Sequence, residues 1–351
     1  MIPVIDHILG FFSSDLAVDL GTANTLIYVQ GKGLAIREPS IVAAHKKTKK
    51  VVAIGLDAKN MIGKTPLNIT TIRPLKDGVI SDYDTTLAML SYFVHKVHKK
   101  PGFSLTFPRP RLVIGVPSQI TEVERRAIFD VAKAAGARRA YLIEEPMAAA
   151  IGAQIGVEDA VGSMIVDIGG GTCEIAVISL GGVVVGKSLK LAGDTMDRDI
   201  INYVRTRYGL SIGEKTAEDI KIQLGSAYPG EVEKQMTVRG RDLEKGLPKS
   251  IKLTSAQVRE ALASTISTIV ENIRDTINDA PPELASDIAE RGIVLCGGGS
   301  LILGLPKLIS HEVKMPVTVA AEPMFCVVMG CSKLLGDKIL LEKVKIASFG
   351  V

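Results

Sequence analysis

Apolar and polar runs alternate through residues 16–29 and 34–54, the pattern of strands, and strand-like runs return over residues 164–187. Inside the first stretch, His45-Lys-Lys-Thr-Lys-Lys50 reads as a solvated hairpin tip. Leu112-Val-Ile-Gly-Val116 is a further apolar strand. Helical spacing runs over residues 84–100, 121–136, 194–208 and 214–225, and Thr121, three before Glu124, makes a capping-box pattern. Thr237 to Leu253 is strand-like with turns; Thr254 then opens a long helix to about Asp279, stopped by Pro281-Pro282. Strands followed by helices, twice over, predict an α/β fold of two related halves. No low-complexity linker separates them, so helical crossovers near residues 145–155 and 325–335 are expected to join them as a hinge.

Within this pattern one device occurs twice. Asp19-Leu-Gly-Thr-Ala-Asn-Thr25 and Asp167-Ile-Gly-Gly-Gly-Thr172 each follow an apolar run and lead into another. Strand, Asp, Gly/Thr turn, strand describes a hairpin whose turn presents backbone N–H groups to a phosphate. The Asp at the strand end suits Mg²⁺, which keeps most of its waters and takes only one or two carboxylates. A single Asp-Gly turn is ordinarily no more than a turn. The pair gains weight from a third cluster, Gly297-Gly-Gly-Ser300, which follows Ile293-Val-Leu-Cys296 and precedes Leu305, Leu308 and Ile309 at helix spacing. Glycines there let a flat or charged ligand approach the backbone. Three Gly-rich strand ends together indicate a nucleotide cleft.

Composition narrows the class. At 351 residues the chain is long enough for two domains, each with its own core. It is 46% hydrophobic with no Trp and 4% aromatic, so the cores must rest on Ile, Val, Leu, Ala and Met. A net charge of +4 is too small and dispersed to argue for nucleic acid. Cys173, Cys296, Cys326 and Cys331 show no paired metal spacing and read as buried, reduced thiols. No apolar run approaches the ~20 residues of a membrane-spanning helix.

The N-terminal segment raises a different membrane question. On a helical wheel Ile2, Val4, Ile5, Ile8, Leu9, Phe11 and Phe12 share one side, and Pro3, Asp6, His7 and Gly10 the other. So short a helix is marginal in water. Two readings fit: an interfacial anchor, or a segment packed on its own domain. The polar side lacks cations, although Lys96, Lys99 and Lys100 lie just before Pro101-Gly-Phe-Ser-Leu-Thr-Phe107, a loop offering Phe103, Leu105 and Phe107. No Lys or Arg precedes the apolar stretch and no small-residue cleavage site follows, against a signal peptide.

The two hairpins, the Gly-Gly-Gly-Ser loop and Glu144-Glu-Pro-Met-Ala-Ala-Ala150 resemble the actin/chaperone/sugar-kinase ATPase superfamily. Within it the chain is most similar to the MreB family of bacterial actin homologues, through Asp19 to Tyr28, Ile72-Arg-Pro-Leu-Lys-Asp-Gly-Val-Ile80 and Pro281-Pro-Glu-Leu-Ala-Ser-Asp-Ile288. The resemblance runs from about residue 14 to the end. It implies an actin-like ATPase fold, two ribonuclease-H-like halves around a nucleotide cleft, each with a small subdomain. The implied division is residues 1–38, 71–150 and 328–351 for one large subdomain and 39–70 for its small one; 151–188 and 255–327 form the other, with 189–254.

The resemblance also implies roles. Thr22, Ala23 and Asn24 would line the first phosphate loop and Gly169, Gly170 and Gly171 the second, with Asp19 and Asp167 binding Mg²⁺ through water. Glu145 would position the attacking water with help from Thr172; Glu218 and Lys221 would contact the ribose and adenine side; Gly298, Gly299, Ser300 and Leu301 would close over the adenosine. Leu105 and Phe107 would join Ile2, Ile5, Leu9 and Phe12 in membrane contact. The implied protein is a slow ATPase assembling into paired protofilaments on the inner face of the cell membrane. It would guide wall synthesis and rod shape with partners such as RodZ and MreC. Blander readings stand beside these. Glu145 fits a helix N-terminal carboxylate ahead of Pro146, and Glu218 with Lys221 fits an i,i+3 surface ion pair. Cys173 departs from the family, which commonly has a second Thr there, and raises a question over the second loop's geometry. Other ATPase classes of the superfamily make different demands: a chaperone needs a peptide-binding domain, a metabolite kinase a sugar pocket and an Asp base.

Overall fold

Two sheets of matching topology organise the computed structural model, which describes residues 13–99, 109–230 and 232–350. The expectations for Ile2, Ile5, Leu9, Phe12, Leu105 and Phe107 lie outside the described residues. The first sheet orders its strands 345–350, 139–144, 111–116, 16–20, 24–29, 33–39; the second runs 317–319, 293–296, 163–168, 173–179, 182–189. In each, a three-stranded antiparallel meander continues, through its first strand, into two parallel strands. Leu16–Leu20 and Ser163–Ile168 are therefore equivalent strands. Asp19 stands between Leu26 and Gly115; Asp167 stands between Glu174 and Cys296. The two related halves are real.

Parallel neighbours need crossovers of a dozen or more residues. Helices Tyr83–His98, Glu122–Ala134, Ser255–Asp279 and Leu305–Val313 supply them. Thr121 and Glu124 close a capping box, as do Thr254 and Gln257, each cap worth about 1 kcal/mol. Pro281-Pro282 does more than stop the long helix: Pro282 opens a further one, Pro282–Arg291, because a first-turn proline forfeits no hydrogen bond. Several elements have no counterpart in the expected pattern, among them strands Ile69–Ile72 and Arg139–Glu144, helices Leu56–Met61 and Lys338–Val344, hairpin strands Leu75–Lys76 and Val79–Ile80, and strand Lys345–Gly350. All are short, and the last exists only through pairing with Arg139–Glu144.

Two three-stranded sheets flank the large ones, 51–54, 42–45 and 69–72 on the first half, 210–211, 235–242 and 248–254 on the second. Lys46 to Lys50 form the expected exposed hairpin tip. A buried cluster fills each half, and another lies between the sheets, where helices Glu145–Gly152 and Cys326–Gly336 pack on each other. A Cβ at Gly152 would overlap the Cys326 carbonyl, and one at Gly330 the Ala148 carbonyl, so these helices touch backbone to backbone. All four cysteines are buried and unbridged. Among the described residues no helix is long and apolar enough to cross a membrane.

Candidate functional site

Both Asp hairpins turn their tips toward one cleft. Pairing of Leu20 with Thr25 closes the first, and of Ile168 with Cys173 the second, where the Gly169 amide also donates to the Thr172 carbonyl at 2.9 Å. The tips meet. A Cβ at Gly171 would lie 2.5 Å from Thr22 Oγ1, and one at Gly170 2.6 Å from the Ala23 Cβ. None of Gly169, Gly170 and Gly171 has positive φ, so it is close approach, not turn conformation, that bars a side chain at Gly170 and Gly171. Gly78, at the tip of the short 75–80 hairpin, donates its amide to Thr22 Oγ1 at 3.0 Å and braces the first loop.

A cavity of about 630 Å³ opens between the tips. It is lined by Asp19, Thr22, Ala23 and Asn24 from the first hairpin and by Asp167, Gly169, Gly170, Gly171 and Thr172 from the second. Glu145, Glu218, Lys221, Gly298, Gly299 and Leu301 complete the expected set. Ser300 is the exception. It is buried, and its hydroxyl donates to the Gly297 carbonyl at 2.7 Å, which holds the short 3₁₀ turn Gly298–Leu301 together rather than facing the cavity. Cys173 also stays out of the cavity: it points into the second half's core, so the missing Thr there leaves the cavity wall unchanged.

Acidic groups crowd the floor. Burial, then the charge of Asp167, raises the Asp19 carboxyl to about 7. Burial, then Glu174, raises Asp167 to about 7. Burial first, then Glu174, Asp19 and Asp167, pushes Glu145 well above the usual carboxylate range. So much negative charge in one place calls for a cation. Among the described residues, no three or more His, Cys, Asp or Glu side chains are grouped to cage a metal. A paired-aspartate floor without a cage fits an ion that keeps its own water shell, as Mg²⁺ does.

Glu218 and Lys221 lie on helix Glu214–Leu224 and line the cavity, but not as a pair with each other. Lys221 is tied to Asp197 and to the Gly193 carbonyl, both at 2.9 Å. Glu218 reaches across the cleft to Lys59 at 2.6 Å. Arg73 makes a second crossing, to Glu214 at 3.2 Å and Asp194 at 3.9 Å. Sequence reasoning passed over Lys59, Arg73 and Glu174. None of the three carried a local signal, because each matters through a partner far along the chain: Glu218 for Lys59, Glu214 for Arg73 and Ser118 for Glu174.

A family model described as MreB/Mbl protein matches residues 13–343. The chain belongs to the MreB/Mbl family. It is 52% identical over 330 residues to the cell shape-determining protein MreB of Escherichia coli (strain K12), covering 93% of this chain and 94% of that one. Against the cell shape-determining protein Mbl of Bacillus subtilis (strain 168) it is 46% identical over 336 residues, covering 96% and 100%. Among solved structures, MreB5 of Spiroplasma citri bound to AMPPNP superposes with a TM-score of 0.88 at 37% identity, covering 95% of this chain and 98% of that one. The same protein bound to ADP gives 0.87 at 38% identity, with the same coverage. The fold is actin-like.

Proposed function

We propose that this chain is a bacterial actin-like cell-shape protein that binds ATP, hydrolyses it slowly and assembles into paired protofilaments on the inner face of the cell membrane. The observation that carries the reading is the tip-to-tip meeting of two Asp hairpins over a buried carboxylate floor. The support from relatives is that cell shape-determining proteins share about half its residues, and that a 37% identical neighbour was solved with AMPPNP.

In this reading the loops Thr22-Ala-Asn24 and Gly169-Gly-Gly171 cradle the phosphates with their amides. Asp19 and Asp167 would hold Mg²⁺ through its waters; the ion supplies charge neutralisation for the leaving diphosphate. Glu145, helped by Thr172, holds the water that attacks the γ-phosphorus; the bond to the β,γ-bridging oxygen breaks and ADP leaves. Glu218 and Lys221 serve the ribose and adenine side, and Gly298, Gly299 and Leu301 close over the base. The helices 145–152 and 326–336 act as the hinge between the two halves, each divided into a large and a small subdomain bounded as the resemblance implies. Ile2, Ile5, Leu9, Phe12, Leu105 and Phe107 form the lipid contact, multiplied by assembly, and RodZ and MreC are the implied morphogenesis partners.

Phosphate release at increasing protein concentration tests the core of this. The rate per subunit should rise as assembly sets in, and Glu145→Gln should lower it on the order of a hundredfold or more while ATP still binds. A rate per subunit independent of concentration, with no sedimentable polymer, would end the filament reading. Pelleting with liposomes tests the anchor: deletion of residues 2–12 combined with Leu105→Ser and Phe107→Ser should abolish co-sedimentation of ATP-assembled protein.

A further inference from the structure

Glu174 is a buried carboxylate that the mechanism above leaves unused. It is 1% exposed, and each of its oxygens is engaged. Oε1 accepts from Ser188 Oγ at 2.5 Å, and Ser188 is its ladder partner in the same sheet. Oε2 accepts from the Ser118 amide at 3.2 Å and the Ser118 hydroxyl at 2.9 Å. Ser118 belongs to the opposite half, two residues beyond the strand Arg111–Val116. One carboxylate therefore ties the two halves together beneath the cavity.

The fold does not require an acid there. Glu174 stands opposite Asp167 in the second hairpin; the equivalent place opposite Asp19 in the first is Leu26. A hydrophobe is thus accommodated at the matching position, and a buried carboxylate is the more costly choice. The polarity answers to something other than packing. Its charge is the largest influence, after burial itself, on both Glu145 and Asp167, and Asp167 is its ladder partner in the hairpin.

We propose that Glu174 is a positioning residue: a strut between the halves that, through Ser118, fixes the distance from the second phosphate hairpin to the first half. This rests on the ATPase reading above. A rotation that carries Ser118 away from the second half would break its bonds to Glu174 and leave the Ser188 bond, which lies within one sheet, intact. Glu145 and Thr172 come from opposite sides of the strut.

The asymmetry between the two serines supplies the test. At one protein concentration, Ser118→Ala should lower kcat for phosphate release on the order of tenfold with KM within about twofold, whereas Ser188→Ala leaves both within about twofold. Glu174→Leu, copying Leu26, should match or exceed the Ser118 defect, and Glu174→Gln, which keeps an acceptor for Ser118, should recover most of the rate. Equal defects in the two serine variants, or normal kcat in folded Ser118→Ala and Glu174→Leu, would overturn the strut while a Glu145→Gln defect keeps the ATPase reading intact. A wild-type protein that binds ATP but never releases phosphate would overturn both.

Discussion

Asp19 and Asp167 are held in a place that opposes their ionisation, and that has a thermodynamic consequence. Their carboxyls titrate near 7 in the folded chain against an ordinary 3.8. Between those values the folded state holds protons that the unfolded state has released, so stability must fall as pH rises through that window. The melting temperature of nucleotide-free protein should therefore drop between about pH 5 and about pH 7.5, and Asp167→Asn should flatten that slope. A melting temperature that rises over this range would show that the acidic floor is already neutralised by something else. Both aspartates were legible in the chain because each ends an apolar run before a Gly/Thr turn. Glu174 was not, since what makes it notable is Ser118, 56 residues earlier in sequence. Ser300 misled for the opposite reason: membership of a Gly-rich run says nothing about which way a hydroxyl turns, and this one turns to Gly297.

Elements long enough to show a period were readable, and the crossover helices between the sheets show where periodicity stops being informative. Their apolar character marks them as buried, yet the contact that matters is between glycines and carbonyls, Gly330 on Ala148 and Gly152 on Cys326. Gly330→Ala should destabilise the protein by about 1–3 kcal/mol, read as a lower urea midpoint, because the backbones have no room to part. Gly336 ends the same helix with open space where its Cβ would be. Gly336→Ala should be neutral or slightly stabilising, as expected of an alanine in a helix. Equal losses at both sites would mean that general helix loosening, rather than the close crossing, is being measured. The hairpin 75–80 and the strand Lys345–Gly350 are too short to carry a period, and their partners are fixed by tertiary contact.

Across the molecule, the cleft is spanned at its rim by Lys59 to Glu218 and by Arg73 to Glu214 and Asp194. These side chains are partly exposed, and pairs of that kind contribute roughly 0.2–1 kcal/mol. Lys59→Ala should speed nucleotide dissociation by about 1.4- to 5-fold at low salt, with the gain shrinking as ionic strength rises. Stopped-flow release of a fluorescent ATP analogue would read this directly; an unchanged rate would mean that the rim pair does not gate the cleft.

What the chain carries locally is the duplicated strand-Asp-turn-strand device, the long helices with their caps, and the Gly-rich loop Gly297-Gly-Gly-Ser300. Each is written in residues a few positions apart, which is why the two-halved α/β architecture and the hairpin-tip part of the cavity lining could be anticipated from them. What folding adds is everything that joins distant positions: glycine tips pressed against Thr22 and Ala23, a carboxylate strut from Glu174 to Ser118, ion pairs from Lys59 and Arg73 across the cleft. Those depend on how two independently patterned halves are set against each other. Hydrophobic periodicity encodes which side of an element is buried, but not which element of the other half it will meet.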